Sequence, residues 1–490
     1  KPEEVKPGMA NYYASTYFEE NEYCSVLVKV RDGRPIKIEG NNLSPISKQG
    51  TSARVQASVL NLYDDARLKS PLKRGAATTW QEAEDYIGKK LEQLNSENKK
   101  VVLLSSTIIS PSTKKVIGIF RENYPNVEWL QYDAVPASGI LTANQQSFGK
   151  PFIPVYRFEK AKVIVSFGAD FLGSWLSPVE YTKGYSAGRK LLEKTDSMSR
   201  HYQFESGMTL TGSNADVRVP VKPSEEAVLI SGLYNHLLKA KGLAGSADTQ
   251  TPVDLGGLVA DLIENEGKSL VISGSNDTQV QLVVNAINQL LGNYGNTIIT
   301  SRTLNTKQGI DAEFESFLAG LKNKNIAGVL CWGVNPVYNH PAGKEIKAAL
   351  EGLELSVAFA DRPDETTAAC HWVCPEPHYL ESWNDAEPVT GSFSLAQPAI
   401  SKLFDGRQVQ ELLLKWSGET ATNYYDFLRK NWEDNFTGIQ SELRNPRDFW
   451  NDSLQKGVFE SSVTNSELTY SDNGLAQAVS SLKPSTKTGW

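Results

Sequence analysis

A chain of 490 residues with a formal net charge of −7 is longer than one ordinary domain and fits about three. Its hydrophobic share of 40% and charged share of 22% are those of a globular protein able to bury a large core unaided. The acidic balance, with no basic stripe, excludes a nucleic-acid surface, and no apolar run approaches the ~20 residues of a spanning helix. Any membrane contact is therefore expected through partners. The chain starts at Lys1 with no signal-peptide pattern. After about Asn435 it turns polar and weakly periodic, and it reads as a piece of a longer protein.

Residues 24–39 hold two alternating runs around Asp32-Gly33. That dipeptide favours a tight hairpin because it tolerates positive φ. A helix is predicted from Trp80 to Leu94 behind a Thr-Thr cap, then a strand at 101–105 ending in small residues. Lys162–Gly168, Ser269–Gly274, Asn296–Thr300 and Ile326–Gly333 read as further short buried strands, with a helix over Thr278–Leu291. Such strands alternating with helices predict doubly wound α/β layers. Ligands in such layers sit beyond the strands' C-terminal ends, which directs attention to the loops at 105–107, 168–175, 274–277 and 333–336. Glu225-Glu226 follow Pro223-Ser224 and read as a favourable first helical turn rather than an acid–base pair.

The glycine turns Gly168–Gly173 and Gly333–Pro336 admit close approach of a phosphate, but strand-to-helix turns of this kind occur throughout α/β proteins. Neither matches the dinucleotide fingerprint or the P-loop. Of the four cysteines, Cys24, Cys331, Cys370 and Cys374, only the last two are close in sequence. Together with His371 and His378 they have the wrong spacing for a zinc site, and the plainer reading is a buried strand with its loop. No Ser-His-Asp, nucleophile-elbow or zinc-protease signature appears. Tyr424, Tyr425, Trp432 and Trp450 fit either partner anchors or core.

Several stretches resemble the molybdopterin oxidoreductase family in order and spacing: Cys24–Gly40, Gly50–Leu68, Asn214–Pro223, Gly292–Gly295, Gly333–Pro336 and Thr366–Pro375. In that family four cysteines carry an iron–sulfur cluster, spaced Cys-x2-Cys-x3-Cys with the fourth about 27 residues on. The matching positions here are Tyr17, Glu20, Cys24 and Ser52. The resemblance therefore implies a degenerate site without a cluster, with Cys24 as a small buried hydrophobe. The family's molybdenum ligand maps to about 133–148, where there is no cysteine and Asp133 and Ser138 are the candidates. The pterin-side loops, with Gly168, Asp170, Gly333 and Asn335, look vestigial; bulky Phe171 and Trp175 are expected to fill the vacated volume.

Phe167–Pro178, Pro377–Pro388 and Lys6–Thr16 narrow the likeness to the large iron–sulfur subunits of bacterial alternative complex III, a quinol:electron-acceptor oxidoreductase. That resemblance implies a cofactor-free scaffold with no catalytic residue and no metal in this chain, and iron–sulfur clusters in a following domain of the same subunit. The implied partners are that iron–sulfur domain, a membrane-bound quinol-oxidising subunit, and multihaem and monohaem cytochrome c subunits. The implied place is the periplasmic face of the inner membrane, peripherally bound. An active molybdopterin-dependent subunit using Ser138, or a relic that still holds a nucleotide, are the alternatives. The expected fold is α/β and molybdopterin-oxidoreductase-like. It comprises a β-rich N-terminal domain to residue 82, an α/β domain from 83–136 and 266–400, and a second inserted at 137–265. An extension over 401–490 is expected to pack on partners or on the subunit core, with the chain stopping before the closing β domain.

Overall fold

The computed structural model describes residues 6–191, 197–245, 251–419, 423–440, 442–463 and 465–482. The chain forms two compact units. The first joins the residues up to Pro136 with Gln308–Val463; the second joins Ala137–Lys307 with the chain after Val463.

The first unit opens with β1 (Ala10–Glu19), β2 (Glu22–Arg31) and β3 (Arg34–Gly40), an antiparallel sheet in the order β1-β2-β3. Along β2, Cys24, Val26, Val28 and Val30 are buried at alternate positions, the signature of a half-covered sheet. Asp32 (φ 51°) and Gly33 (φ 77°) make the β2–β3 turn. This is the left-handed pair a tight hairpin demands, and the one the dipeptide predicted. The helix Ala53–Asn61 follows, then the small hairpin of β4 (Leu72–Lys73) and β5 (Ala76–Ala77).

The helix Trp80–Ser96 starts where Thr79 accepts the Glu82 amide at 3.2 Å. It leads into β6 (Val101–Ser105), every residue of which is buried, as a parallel strand covered on both faces requires. The helix Pro111–Asn123 returns the chain to β7 (Val127–Gln131).

The second unit begins with the helix Ser138–Phe148 and contains β8 (Ile153–Tyr156), β9 (Val163–Phe167), β10 (Arg200–Glu205), β11 (Val217–Pro220), β12 (Ser269–Ser273) and β13 (Ile298–Leu304). Four of these form a parallel sheet in the order β11-β10-β9-β12. Two expectations change here. Residues 266–307 stand with the inserted unit rather than with 83–136, because β12 hydrogen-bonds along β9. The strand around 296–300 does not extend a parallel layer, since β13 pairs antiparallel with β8.

The chain returns to the first unit with β14 (Gly328–Trp332), β15 (Leu355–Ala360) and β16 (Trp372–Pro375). Its main sheet runs β5-β4-β16-β15-β14-β6-β7. The strands β16, β15, β14, β6 and β7 are parallel, and β4 joins β16 antiparallel. β17 (Asn384–Val389), β18 (Ser392–Ala396) and β19 (Val458–Glu460) form an antiparallel meander. The terminal segment divides: 401–463 packs in the first unit, while the helix Leu475–Ser481 lies in the second, with Ala478 and Leu482 in its core. Tyr424, Trp432 and Trp450 are core residues at 0%, 0% and 2% exposure, and Tyr425 is half-buried against Trp383. They hold the first unit together rather than projecting outward.

Each parallel sheet has a topological switch point, between β6 and β14 in the first unit and between β9 and β12 in the second. These are the crevices where doubly wound folds place ligands.

A buried ion pair closes the N-terminal part of the first unit onto the segment after β16. Arg67 Nη2 lies 2.6 Å from Glu381 Oε2, and both side chains are almost wholly buried. Burial opposes ionisation of Glu381, but Arg67 and the amides of Leu403 and His378 outweigh it and hold the carboxyl below its usual range. The pair's stabilisation is thus present above the ordinary carboxylate pKa and is lost as pH falls through the depressed one. Glu381→Gln is expected to leave Arg67 charged, buried and unpaired, at a cost of about 3–5 kcal/mol near neutral pH. The urea midpoint is expected to fall accordingly, with the deficit shrinking in acid; an unchanged midpoint at pH 7 contradicts this.

Candidate functional site

The four positions that match the family's cluster ligands lie in the first unit, on and beside the N-terminal sheet. Tyr17 on β1 faces Cys24 on β2 in register. The Tyr17 hydroxyl donates to Glu19 at 2.5 Å, and its ring meets Tyr379 edge-on with centroids 5.5 Å apart. Glu20 occupies the β1–β2 turn at φ 54°, its carboxylate accepting Arg54 Nη1 at 2.8 Å. Ser52 caps the helix Ala53–Asn61 by accepting the Val55 amide at 3.1 Å. Cys24 is fully buried, and desolvation, helped by Glu22, pushes its thiol up to about 12. An iron–sulfur cluster needs thiolates, and these positions offer one protonated thiol beside a phenol, a carboxylate and a hydroxyl already engaged elsewhere. The residues do not fit that group.

The glycine loops that match the family's pterin side fall in different units. In the second unit, Gly168 (φ +62°) follows β9. A Cβ there would lie 3.2 Å from a Glu226 carboxylate oxygen. A Cβ on Gly274, after β12, would lie 2.6 Å from the Gly168 carbonyl oxygen. The two loops at this switch point therefore touch backbone to backbone, with a carboxylate beside them. Burial raises the pKa of Glu226, and Ser273 donates to it at 3.2 Å. Asp170 turns inward and accepts the Thr211 amide at 3.1 Å and hydroxyl at 2.7 Å. Phe171 is completely buried against Phe158, with centroids 4.4 Å apart.

In the first unit, Gly333 (φ +61°) follows β14 and passes close to Ser106. Asn335 staples the next segment: its Oδ1 accepts the Thr366 hydroxyl at 2.8 Å, and its Nδ2 donates to Glu365 at 2.8 Å. The candidate metal ligands are divided as well. Asp133 lies in the first unit, accepting Thr107 Oγ1 at 2.9 Å and the amides of Gln308 and Gly309 at 3.2 and 2.9 Å. Ser138 starts the first helix of the second unit and is buried. Among the described residues no group of three or more His, Cys, Asp or Glu is placed to hold a metal ion. His371 and His378 are engaged with backbone, at Glu351 O and the Leu380 amide.

Two features at strand C-terminal ends escape the sequence reading. Glu376, just past β16, accepts Trp332 Nε1 from the end of β14 at 3.0 Å. In the second unit, His201, Gln203 and Glu205 form a buried row along β10. His201 Nε2 and Gln203 Oε1 are 3.2 Å apart, and Gln203 Nε2 donates to Glu205 at 3.2 Å. Glu205 is then paired with Arg218 at 2.6 Å. The period-two spacing of the row was visible in the chain, but its polar residues do not read as a buried face.

No family model matches the chain. It is 25% identical over 452 residues to the menaquinone reductase, molybdopterin-binding-like subunit of Nitratidesulfovibrio vulgaris, covering 80% of this chain and 63% of that protein. It is 23% identical over 313 residues to the molybdopterin-containing subunit of the arsenate respiratory reductase of a Shewanella species, covering 59% of this chain and 34% of that one. The fold matches acetylene hydratase from Pelobacter acetylenicus with a TM-score of 0.68 at 12% identity, over 92% of this chain and 74% of that one. In sequence the chain resembles these molybdopterin-family subunits, and its fold is that of acetylene hydratase, molybdopterin-oxidoreductase-like. It spans less than two thirds of the length of the curated relatives it matches. The relative aligned over four fifths of this chain is itself called only molybdopterin-binding-like.

Burial pushes the Glu376 carboxyl up to about 8, with Asp361 adding to the effect and Trp332 opposing it. A folded value above the unfolded one means that the stabilisation is complete below the ordinary carboxylate pKa and is lost as pH rises through about 8. Glu376→Gln, which keeps the neutral form's shape, is expected to raise the thermal midpoint at pH 9 and to match wild type near pH 4. Equal midpoints at both pH values count against this environment for Glu376.

Proposed function

We propose that this chain is a cofactor-free, molybdopterin-oxidoreductase-like scaffold of a respiratory quinol:electron-acceptor oxidoreductase of the alternative complex III type. The observation that carries the reading is the state of the cluster positions. Tyr17, Glu20 and Ser52 stand where thiolates belong, and each is bonded to a neighbour of its own. The likeness to a menaquinone reductase subunit of Nitratidesulfovibrio vulgaris supports a place in quinone-linked respiration.

In this role the chain carries no redox step. It holds a neighbouring iron–sulfur domain against a quinol-oxidising membrane subunit and multihaem and monohaem cytochrome c subunits, so that electrons pass from quinol outward. Its place is the periplasmic face of the inner membrane, bound through partners. No helix among the described residues is long and apolar enough to cross a membrane, which is compatible with peripheral attachment.

The test is elemental analysis of the folded 490-residue chain for molybdenum, tungsten and iron. The expected result is none of the three in stoichiometric amount. Molybdenum or tungsten near one per chain overturns the scaffold reading in favour of an active molybdopterin subunit, with Asp133 and Ser138 the next residues to substitute. Stoichiometric iron overturns the reading of the cluster positions.

A further inference from the structure

The three-stranded sheet that opens the first unit is covered on one face and partly open on the other. Its register sorts the residues. Tyr13, Val28 and Ile38 stand side by side across β1, β2 and β3, and Val28 and Ile38 are wholly buried. Tyr12, Lys29 and Lys37 form the adjacent row, and Ala10, Arg31 and Arg34 the next but one. Paired residues share a face and successive residues alternate, so these two rows lie together, opposite Val28. Tyr12, Arg31, Arg34 and Lys37 are exposed, and Lys29 Nζ lies 5.7 Å from the centre of the Tyr12 ring. Farther from the β2–β3 turn the same face is closed, where Thr16 donates to Ser394 Oγ at 2.9 Å.

Four cations thus meet on one open face of a chain whose net charge is −7. Two acids stand beside them: Asp32 is 3.8 Å from Arg31, and Glu39 is 3.5 Å from Lys37. Large apolar side chains project from the same end of the sheet. Met9 just before β1 is 62% exposed, Tyr12 50% and Ile36 49%. Ile36 is the extra residue where β3 shifts register against β2. We propose that this end of the sheet docks directly on an anionic lipid surface. Lys29, Arg31, Arg34 and Lys37 meet the lipid phosphates, while Tyr12, Ile36 and Met9 enter the headgroup layer. Clustered lysines and arginines are drawn to anionic leaflets, and rings with a polar tip settle at the membrane–water interface.

Charge selects an anionic occupant, and area selects lipid over a folded protein. Three strands at ~4.8 Å spacing and four residues at ~3.4 Å rise give an open face of roughly 200 Å². Each partner in a stable protein interface buries ~800 Å². A lipid surface needs no shape match and is held by a few cations with apolar side chains among them. The contact is direct and additional to any attachment through partners. It does not depend on the cofactor content or the complex proposed above, since the chain alone meets the lipid in the test.

The full chain is to be sedimented with vesicles of phosphatidylcholine alone and of phosphatidylcholine mixed with phosphatidylglycerol, at low and high salt. The expected result is binding to the mixed vesicles only, released by salt as surface charge is screened. An acidic chain is repelled by such vesicles as a whole, so binding reports a local face. Lys29→Gln with Lys37→Gln is expected to weaken it about tenfold or more, and Tyr12→Ser to weaken it further. Lys344→Gln with Lys347→Gln, exposed on the helix Gly343–Gly352, is expected to leave it unchanged. No binding to the mixed vesicles overturns the proposal, as does equal binding to phosphatidylcholine alone or an equal loss in the Lys344/Lys347 variant. A chain that ignores the vesicles but is retained on polyglutamate through Lys29 and Lys37 overturns it in favour of an acidic protein segment. Should the Lys29/Lys37 variant fail to fold, the dependence of the wild-type chain on lipid and salt decides.

Discussion

Two carboxylates within one short segment, Glu381 and Asp385, hold the first unit in its arrangement. Asp385 lies at the start of the helix Pro111–Asn123, bonded to the Ser110 hydroxyl, to the Ser112 hydroxyl at 2.5 Å and amide at 3.3 Å, and to Trp432 Nε1 at 2.8 Å. Its burial raises its pKa, and the hydroxyl and indole donors work against that rise. A helix N-terminus presents unpaired amides and a positive dipole end, so a carboxylate is at home there. Glu381, four residues earlier, reaches back to Arg67. Between them the pair tie the helix after β6, the helix Tyr424–Asn435 and the N-terminal segment to one strand.

The same economy of local bonds holds at the positions that match the family's ligands, where each residue present bonds to a neighbour of its own. A cofactor contributes charge, volume and bonds to a core, and each of these needs a replacement when the ligands change. Charge at the helix start is supplied by Asp385. Volume is supplied by rings: Tyr17 and Tyr379 beside Cys24, and Phe171 beneath its loop. The bonds are local, from the Tyr17 hydroxyl to Glu19, Arg54 to Glu20 and the Val55 amide to Ser52.

Much of the fold was legible because it is written in local patterns. The Asp32-Gly33 hairpin, the buried runs of β6, β9, β12 and β14, the cap at Thr79 and the helix start at Pro223 each depend on residues within a few positions of one another. Less was legible wherever a partner lies far along the chain. The run Asn296–Thr300 reads as a short buried strand, and its sequence does not state that β8 runs antiparallel beside β13. Tyr424, Trp432 and Trp450 are as hydrophobic as an interface anchor, and only the packing around them identifies them as core.

The amino-acid sequence by itself determined the class of fold, the hairpins and buried strands, and which residues stand at the four positions that match the family's cluster ligands, since all of these are matters of residue type and short-range spacing. Tertiary structure alone decided that residues 266–307 complete the inserted unit, that Glu226 sits beside the β9–β12 crevice, and that Cys331 and Cys370 share one layer while Cys374 enters the other. The physical reason is the pleat. A strand sends successive side chains to opposite faces, so closeness along the chain does not mean contact, and which residues meet is settled only when distant strands find their register.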